Sequence, residues 1–171
     1  MKPRIELKSL KVHEDVSEET LCYSAIIAVD GVSAIHATND GHGGCDMYSS
    51  AFGPPDGRKM YDEAMAKIEA YVKTLPAKAC NLFPDGLPYD MELLVGDLIA
   101  AEQQKKDFKK FVRSLSKKIY LIDDGKLYTI KGECTTSLHA KLNAKYPGST
   151  TLNVLPADAA WALAKPLLFG T

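Results

Sequence analysis

The sequence predicts an α+β fold in which strands and helices are partly segregated along the chain. Two Asp-Gly pairs, at 30–31 and 124–125, each separate two runs rich in β-branched and aromatic residues, a pattern typical of a two-residue hairpin turn. Elsewhere, apolar residues recur at spacings of three and four, which indicates amphipathic helices. We therefore expect an N-terminal antiparallel three-stranded meander with packed helices, then a β-hairpin–helix–strand–helix C-terminal part.

The N-terminal third contains the three strands of the predicted meander. The run "RIELKSLKV" gives the first strand, and the runs on either side of the first Asp-Gly pair give the other two. With a two-residue turn and a regular ladder, Ala25 lies opposite His36. This register places His36 on the face that carries Tyr23 and Ile27. There we interpret it as a half-buried sheet histidine rather than a ligand.

The middle of the chain predicts two helices separated by a loop. A Pro/Gly-rich connector, "YSSAFGPPDG", precedes a helix over residues 58–75, which Pro76 ends. The stretch "PAKACNLFPDGLP" then predicts a loop and a candidate hinge, because it contains three prolines and a glycine. The second helix is expected to begin at an Asp90 N-cap and to reach about Ser116.

The apolar stripe of this second helix is interrupted over residues 101–107, "AEQQKKD". The interruption predicts either a bend or a stretch that crosses solvent between two packing surfaces. Beyond it, the second Asp-Gly hairpin is followed by a helix capped by Thr135 or Thr136. A strand in "TTLNVL" and a short helix in "ADAAWALAK" complete the expected C-terminal part.

Composition indicates an ordinary globular chain. Hydrophobic residues make up 46% of the 171 residues and charged residues 25%, so we expect one domain over 1–171, or two lobes divided as 1–88 and 89–171. No apolar run is long enough for a membrane span, and the start lacks a signal-peptide pattern. Four widely spaced cysteines without a CxxC pair favour a reducing compartment. We expect a cytoplasmic protein with no membrane partner, no cofactor and no structural metal.

Charge is unevenly distributed along the chain. Residues 1–104 contain nine Lys and Arg against seventeen Asp and Glu, a net charge of −8, whereas residues 105–171 contain twelve against five, a net charge of +7. The asymmetry has two interpretations. The two halves attract each other within the fold, or one of them is a surface for a charged partner.

The run "NDGHGGCD", Asn39–Asp46, is the main candidate for a functional site. Glycines permit positive φ and allow backbone amides to converge on an anion. The candidate binding residues of this run are Asn39, Asp40, Gly41, His42, Gly43 and Gly44. The glycines do not match a nucleotide-binding motif, because a helix does not follow them directly.

Three other interpretations of the same run remain open. Cys45 is a candidate nucleophile with His42 as its base and Asp40 beside them, because an imidazolium next to a thiol favours the thiolate. Asp40, His42 and Asp46, with His13, are alternatively candidate ligands of a catalytic metal. The structural alternative is an Asx-type turn at residues 39–40 with glycines that permit a tight reversal.

A basic segment at the end of the long helix is a second candidate site. Its candidate binding residues are Lys106, Lys109, Lys110 and Arg113, and the clustered charge suits contact with nucleic-acid phosphates. The alternative is structural. Interleaved phenylalanines lie on the apolar stripe, and cations near a helix C-terminus complement its dipole.

Four segments resemble an uncharacterised family of small bacterial and phage-borne proteins: "VSEETLCYSAIIAVDG", "NDGHGGCDMY", "LLVGDLI" and "KKIYLIDDGKLYTIKG". The best-marked of these elements is the run Asn39–Gly44. The resemblance implies a phage or prophage accessory role but carries over no catalytic residue. Such accessory proteins often bind host machinery.

We therefore expect a stoichiometric protein-binding module whose partner is a host protein or protein complex. Its suggested role is that of an antagonist of a host defence or nucleic-acid-processing complex. One alternative is a small Cys/His- or metal-dependent hydrolase or transferase centred on residues 39–46. The other is nucleic-acid binding through the basic helix end.

Overall fold

A computed structural model describes residues 2–80 and 83–170 of the chain and confirms the α+β class. Contacts divide the chain into two compact units, an N-terminal unit up to Glu102 and a C-terminal unit from Gln103 onward. The sequence allowed a division between residues 88 and 89, whereas the contacts place it inside the long second helix.

The N-terminal unit contains an antiparallel sheet, a helix, a small hairpin and the first half of a long helix. The sheet has the order β1-β2-β3-β4, and β5 pairs with β6 in a separate two-stranded sheet. The elements are β1 Ile5–Val12, β2 Tyr23–Val29, β3 Val32–Asn39, β4 Met47–Ser50, α1 Gly57–Val72, β5 Lys78–Cys80, β6 Phe83–Leu87 and α2 Met91–Ser114.

The first Asp-Gly turn forms as predicted. Val29 pairs with Val32 across it. Asp30 and Gly31 have φ of 52° and 89°, which is the left-handed geometry that a type I′ turn requires at both central positions. The turn therefore sets the start of the β2–β3 ladder.

The register predicted for the rest of this ladder is wrong. The ladder has a bulge between Ile27 and Ala28. Ala28 pairs with Ser33 and Ile27 with Ile35, so Ala34 is an extra residue on β3. Ile26, not Ala25, therefore lies opposite His36. Because one added residue exchanges the two faces of a strand, His36 lies away from the face that carries Ile27. It is half-buried there, as expected of a sheet histidine.

A fourth strand, β4, extends the predicted meander. The sequence assigned most of it to the Pro/Gly-rich connector, because "MYSS" is short and has no run of apolar residues. Ala37 on β3 pairs with Tyr48 on β4. Residues 40–46 therefore connect two paired strands and form a hairpin loop rather than a strand-to-helix connector.

The core of the N-terminal unit lies between this sheet and the helices. The predicted helix over 58–75 is confirmed as α1, whose buried side chains are Ala64, Ile68 and Val72. The fully buried centre of the cluster consists of Ile27, Ile35, Ile68 and Val95.

The stretch predicted as a loop after α1 forms the β5–β6 hairpin instead. The prolines and the glycine of this stretch favour a loop, so the sequence did not predict that the two strands pair. Proline is unfavourable inside a sheet but tolerated in an edge strand. Asn81 and Leu82 of this stretch lie outside the described residues.

The long helix α2 begins at the predicted cap, where Asp90 Oδ1 accepts a hydrogen bond from Leu93 N at 2.8 Å. It continues without interruption to Ser114. Val95 belongs to the core of the N-terminal unit and Phe111 to that of the C-terminal unit. The gap in the apolar stripe over 101–107 thus coincides with the division between the units.

The C-terminal unit contains the second half of α2 and a three-stranded sheet with the order β8-β7-β9. The predicted hairpin is confirmed, with Asp123 paired to Lys126 and with Asp124 and Gly125 at φ of 47° and 69°. The elements after α2 are β7 Lys118–Asp123, β8 Lys126–Lys131, α3 Thr136–Lys145, β9 Thr150–Thr151 and α4 Ala157–Phe169.

Three details of this unit refine or correct the sequence prediction. Thr135 is the N-cap of α3, with its side chain accepting from Leu138 N at 3.2 Å. The strand predicted in "TTLNVL" is limited to β9, and the rest forms a 3-10 turn over Leu152–Val154. Helix α4 continues to Phe169, past Pro166 and beyond the predicted end.

An aromatic cluster forms the core of this unit. Phe111 and Tyr120 are buried, as are Leu152 and the small residues Ala160 and Ala164 of α4. The two alanines allow α4 to approach the sheet closely. Trp161 of the same helix packs against this cluster, with its ring centroid 5.4 Å from that of Phe111.

Candidate functional site

Asn39, at the end of β3, organises the loop between β3 and β4. Its side chain is almost fully buried, with 8% of the residue exposed. Oδ1 accepts from Thr20 Oγ1 at 2.8 Å and from Gly41 N at 2.9 Å. Nδ2 donates to Gly44 O and to Asp46 Oδ1, both at 3.0 Å. All four hydrogen-bonding positions of the amide are used, so Asn39 connects both ends of the loop.

Gly41 joins the loop to the segment between β1 and β2. Its carbonyl oxygen accepts from the backbone amides of residues 18–20, at 3.0, 3.1 and 3.3 Å. Its φ is 89°, and a Cβ at this position would lie 2.9 Å from the Val16 carbonyl oxygen. Both the backbone conformation and the available space therefore require glycine here.

The other two glycines of the loop differ from each other. Gly43 has a φ of 89° and donates its amide to Thr20 Oγ1 at 3.2 Å. Gly44 is not in the left-handed region, and a Cβ there would meet no atom within 4 Å. A need for positive φ is thus confirmed at Gly41 and Gly43 and is wrong for Gly44.

Three backbone amides of the loop are hydrogen-bonded within the protein. Gly41 N donates to Asn39, Gly43 N to Thr20, and His42 N to Asp40 Oδ1 at 3.2 Å. The Asx-type turns considered from the sequence are therefore present. They use the amides of Gly41 and His42.

Asp46, the last residue of the loop, accepts hydrogen bonds from two tyrosine hydroxyl groups. Its Oδ2 accepts from Tyr23 at 2.6 Å and from Tyr48 at 2.9 Å. Burial, followed by the hydrogen bond to Asp46, raises the pKa of Tyr23 and of Tyr48 well above the ordinary value. Both phenols therefore stay protonated and donate to the carboxylate. The Asp46 amide donates to Glu92 Oε1 of α2 at 3.2 Å.

Sequence reasoning missed three of these partners: Thr20, Tyr23 and Tyr48. Tyr23 lies on β2 and Tyr48 on β4, the two strands that flank β3 in the sheet, so it is the sheet order that brings Tyr23 to Asp46. A signal was nonetheless available. A tyrosine two residues after an aspartate at a strand start places both side chains on one face of that strand.

His42 and Cys45 are both exposed in the loop. The His42 side chain is 59% exposed, and its Nδ1 lies 3.1 Å from Glu18 Oε2. The hydrogen bond to Glu18, supported by its negative charge, raises the pKa of His42. Within the described residues, the ring is hydrogen-bonded to Glu18 and not to Cys45. The contact that a thiol nucleophile and its base require is therefore not made here.

The metal-site interpretation is not supported by a cluster of ligands. Over residues 2–80 and 83–170, no group of three or more His, Cys, Asp or Glu side chains is placed to hold a metal ion. Asp46 is engaged by its tyrosines, and Asp40 accepts from the His42 amide.

The basic helix end has the arrangement predicted for it. Lys106, Lys109, Lys110 and Arg113 are exposed, and their spacing of three and four places them on one side of α2. Lys110 Nζ lies 3.4 Å from Asp107 Oδ1. The interleaved Phe111 is buried and belongs to the core, as predicted, whereas Phe108 is half-buried with its ring centroid 6.0 Å from that of Trp161.

A surface on α4 was missed by sequence reasoning. Four large apolar side chains of α4 are between 42% and 52% exposed, and they define the surface that we call the α4 face: Leu163, Leu167, Leu168 and Phe169. Residues 163 and 167 lie on one side of the helix, and residues 168 and 169 lie at its C-terminal end. The predicted helix ended before Pro166, which concealed that "PLLF" continues the same helix. The four apolar residues after Lys165 were the available signal.

The α4 face borders a cavity of about 220 Å³ within the C-terminal unit, which we call the aromatic pocket. Phe111, Trp161 and Phe169 line it together with Leu168, and Lys110 lies at the same cavity. The ring centroids of Trp161 are 5.4 Å from Phe111 and 6.0 Å from Phe169. The pocket is thus bordered by aromatic rings on one side and by a lysine on another.

Comparisons with protein-family models, curated proteins and solved structures found no match for the chain. The resemblance to a phage-borne family therefore stays a prediction from the sequence. Within the described part of the chain, none of the helices combines the length and the hydropathy needed to cross a bilayer.

Proposed function

We propose that the chain acts by stoichiometric binding to another protein through the α4 face. The observation that carries the proposal is the exposure of Leu163, Leu167, Leu168 and Phe169 on one helix. Fully burying an exposed apolar side chain of this size contributes about 1.5–3 kcal/mol, and these four side chains are about half exposed. Grouped exposed apolar residues with polar surroundings are typical of protein interaction sites.

The hydrogen bonding of the β3–β4 loop supports recognition away from that loop. Asn39 and Asp46 are saturated by partners inside the N-terminal unit, and the amides of Gly41 and Gly43 are bonded to side chains. These hydrogen bonds hold the loop between β3 and β4 in one conformation. His42 remains exposed and serves as the reference position for the experiment below.

The biological role that we propose is that of a phage or prophage accessory protein, an antagonist of a host defence or nucleic-acid-processing complex in the cytoplasm. The resemblance of the sequence suggests the phage origin. The charge of the units supports a charged partner, because residues 1–102 contain nine basic and seventeen acidic residues and residues 103–171 contain twelve and five.

Affinity capture from a bacterial host lysate tests the proposal. The tagged full chain is expected to retain a host protein at a fixed molar ratio. Leu167→Asp is expected to reduce recovery about tenfold or more, because it places a charge among the exposed apolar side chains of α4. Phe52→Asp is the matched control, since Phe52 is 45% exposed in the N-terminal unit and Leu167 is 42% exposed.

Recovery that is equal for Leu167→Asp and for the wild type would contradict the proposal. Loss of recovery in His42→Ala, with Leu167→Asp unaffected, would show that the partner binds the β3–β4 loop and not the α4 face. Melting temperatures of all variants, compared with that of the wild type, separate loss of binding from loss of folding.

A second candidate function is nucleic-acid binding by the basic helix end. The observation that favours it is the placement of Lys109, Lys110 and Arg113 on one side of α2, together with Lys106. Binding to single-stranded DNA or RNA would weaken with log salt by about 0.7 per phosphate contact. The measurement is made at about 50 mM salt, where electrostatic affinity is high. Undetectable binding under that condition removes this candidate.

A further inference from the structure

We propose that the aromatic pocket of the C-terminal unit receives one aromatic or branched aliphatic side chain from an acidic segment of the partner protein. This inference deepens the proposed function and rests on it. It specifies the chemistry of the partner at one end of the α4 face.

The size of the pocket suits a single side chain. Its volume of about 220 Å³ lies below the range of about 300–1,000 Å³ that is usual for small-molecule and cofactor sites. The Phe111, Tyr120 and Trp161 rings are packed together, with centroids 5.1 Å and 5.4 Å from that of Phe111. Side chains that fill such pockets are the usual anchors of protein interfaces.

The polar atoms inside the pocket are already paired, which favours an apolar occupant. Ser114 Oγ donates to Phe111 O at 2.6 Å and lies 2.8 Å from the Tyr120 hydroxyl. Since these groups have partners in the protein, an entering ligand need not supply hydrogen bonds to them. Apart from Lys110 and Asp107, the rest of the lining is aromatic and aliphatic.

The α2 side of the pocket carries one lysine and one aspartate. Lys110 and Asp107 both line the cavity, whereas Lys109 and Arg113 are exposed on α2 outside its lining. The Lys110–Asp107 ion pair is at the surface, with 78% of the lysine side chain exposed, and such pairs contribute little stability. Lys110 can therefore exchange Asp107 for a partner carboxylate at small cost. Carboxylates beside the anchor would complement Lys110 and the net charge of +7 on the C-terminal unit.

A protein segment fits this surface better than a nucleic acid does. Leu168 and Phe169 of α4 line the pocket, and α4 contains only Asp158 and Lys165 as charged residues. Nucleic-acid interfaces are more polar and more positively charged than this helix.

Trp161 makes the test direct, because it is the only tryptophan of the chain and lines the pocket. The full chain is titrated with a short synthetic peptide that has one phenylalanine among glutamates. We expect a saturable change in tryptophan emission with one peptide bound per chain. Two matched peptides, with Phe replaced by Ala and with Glu replaced by Gln, are expected to bind about tenfold more weakly or worse.

Two variants test whether the positive charge of Lys110 contributes to the affinity for the acidic peptide. Lys110→Glu is expected to weaken the acidic peptide about tenfold. Lys141→Glu makes the same change of charge on α3, outside the pocket lining, and is expected to bind as the wild type does. If Lys110→Glu lowers the melting temperature, the charge contribution is measured instead from the salt dependence of the wild-type affinity for the peptide. An acidic ligand is then expected to bind more weakly as salt rises.

Several results would overturn the inference. An unchanged Trp161 emission with the acidic peptide, or equal affinity of the Phe→Ala peptide, would refute the anchor. A single-stranded oligonucleotide that changes the emission when the peptide does not would assign the pocket to nucleic acid. A concentration-dependent emission change accompanied by dimerisation, without any peptide, would assign it to a second copy of the chain.

The failure of this inference can be distinguished from that of the proposed function. If a host protein is captured through Leu167 but the acidic peptide does not bind, the partner chemistry is wrong and the proposed function stands. If neither the host protein nor the peptide binds, both are refuted.

Discussion

At the scale of single residues, Asn39 accounts for the shape of the β3–β4 loop. Its buried amide makes four hydrogen bonds, whereas its exposed neighbour Asp40 accepts one from the His42 amide. Asn39→Ala is expected to lower the free energy of unfolding by about 2–4 kcal/mol, because it leaves several buried partners unpaired. Asp40→Ala is the matched control and is expected to cost about 1 kcal/mol or less. Equal urea midpoints for the two variants would contradict this role.

The glycines of the loop provide a second test at this scale. Gly41→Ala is expected to destabilise the protein by more than about 1 kcal/mol, because the residue needs a left-handed φ and has no space for a Cβ. Gly44→Ala is expected to be neutral or slightly stabilising, since an allowed backbone gains from a less flexible unfolded chain. Thermal unfolding measures both. A larger loss for Gly44→Ala than for Gly41→Ala would refute the assigned backbone roles.

The His42–Glu18 pair predicts a pH dependence with a defined sign. Because Glu18 raises the pKa of His42 above the unfolded value of about 6.5, the pair stabilises the fold fully below that value. The contribution is lost as pH rises through the folded pKa. An NMR titration is expected to give a His42 midpoint above about 6.5 that falls in Glu18→Gln. Glu19→Gln is the matched control. A midpoint that Glu18→Gln leaves unchanged would show that the pair does not form in solution.

At the scale of elements, the caps and tight turns were predictable because their determinants are local. Both Asp-Gly turns and the Asp90 cap form where the sequence places them. The bulge after Ile27 was not predictable in this way, since it depends on how β3 meets two neighbouring strands. The short strand β4 and the proline-containing β6 were missed because their own residues favour loops and only pairing makes them strands.

The cap of α3 gives a prediction at this scale. Thr135→Ala is expected to cost about 1 kcal/mol, because its hydroxyl is the acceptor for the Leu138 amide. Thr136→Ala, one residue inside the same helix, is the matched control and is expected to change stability by less than about 0.5 kcal/mol. Chemical denaturation of both variants checks the difference. A reversed order would assign the cap to Thr136.

At the scale of the whole molecule, the candidate sites were predictable only in part. Residues 39–46 and the basic helix end were identified from side-chain chemistry alone. The hydrogen bond from Tyr23 to Asp46 joins residues 23 positions apart and depends on the sheet order, whereas the one from Tyr48 is local and could have been predicted. The α4 face was missed for a related reason. Which side of an apolar helix is exposed depends on what the rest of the unit covers.

The division of the chain gives the charge asymmetry a structural meaning. The boundary at residues 102 and 103 separates the acidic unit from the basic one, because residues 103 and 104 are uncharged glutamines. The C-terminal unit therefore combines a net charge of +7, from twelve basic and five acidic residues, with the α4 face. Both features favour an acidic, partly apolar partner.

Hydrogen–deuterium exchange of the full chain, with and without the captured host protein, identifies the surface that contacts the partner. We predict slower exchange on binding in residues 157–169 and in residues 107–114, which contain the pocket lining of α4 and α2. Exchange in residues 40–46 is expected to stay the same. Protection confined to residues 40–46, or no protection in α4, would contradict the claim that this protein binds its partner through the α4 face.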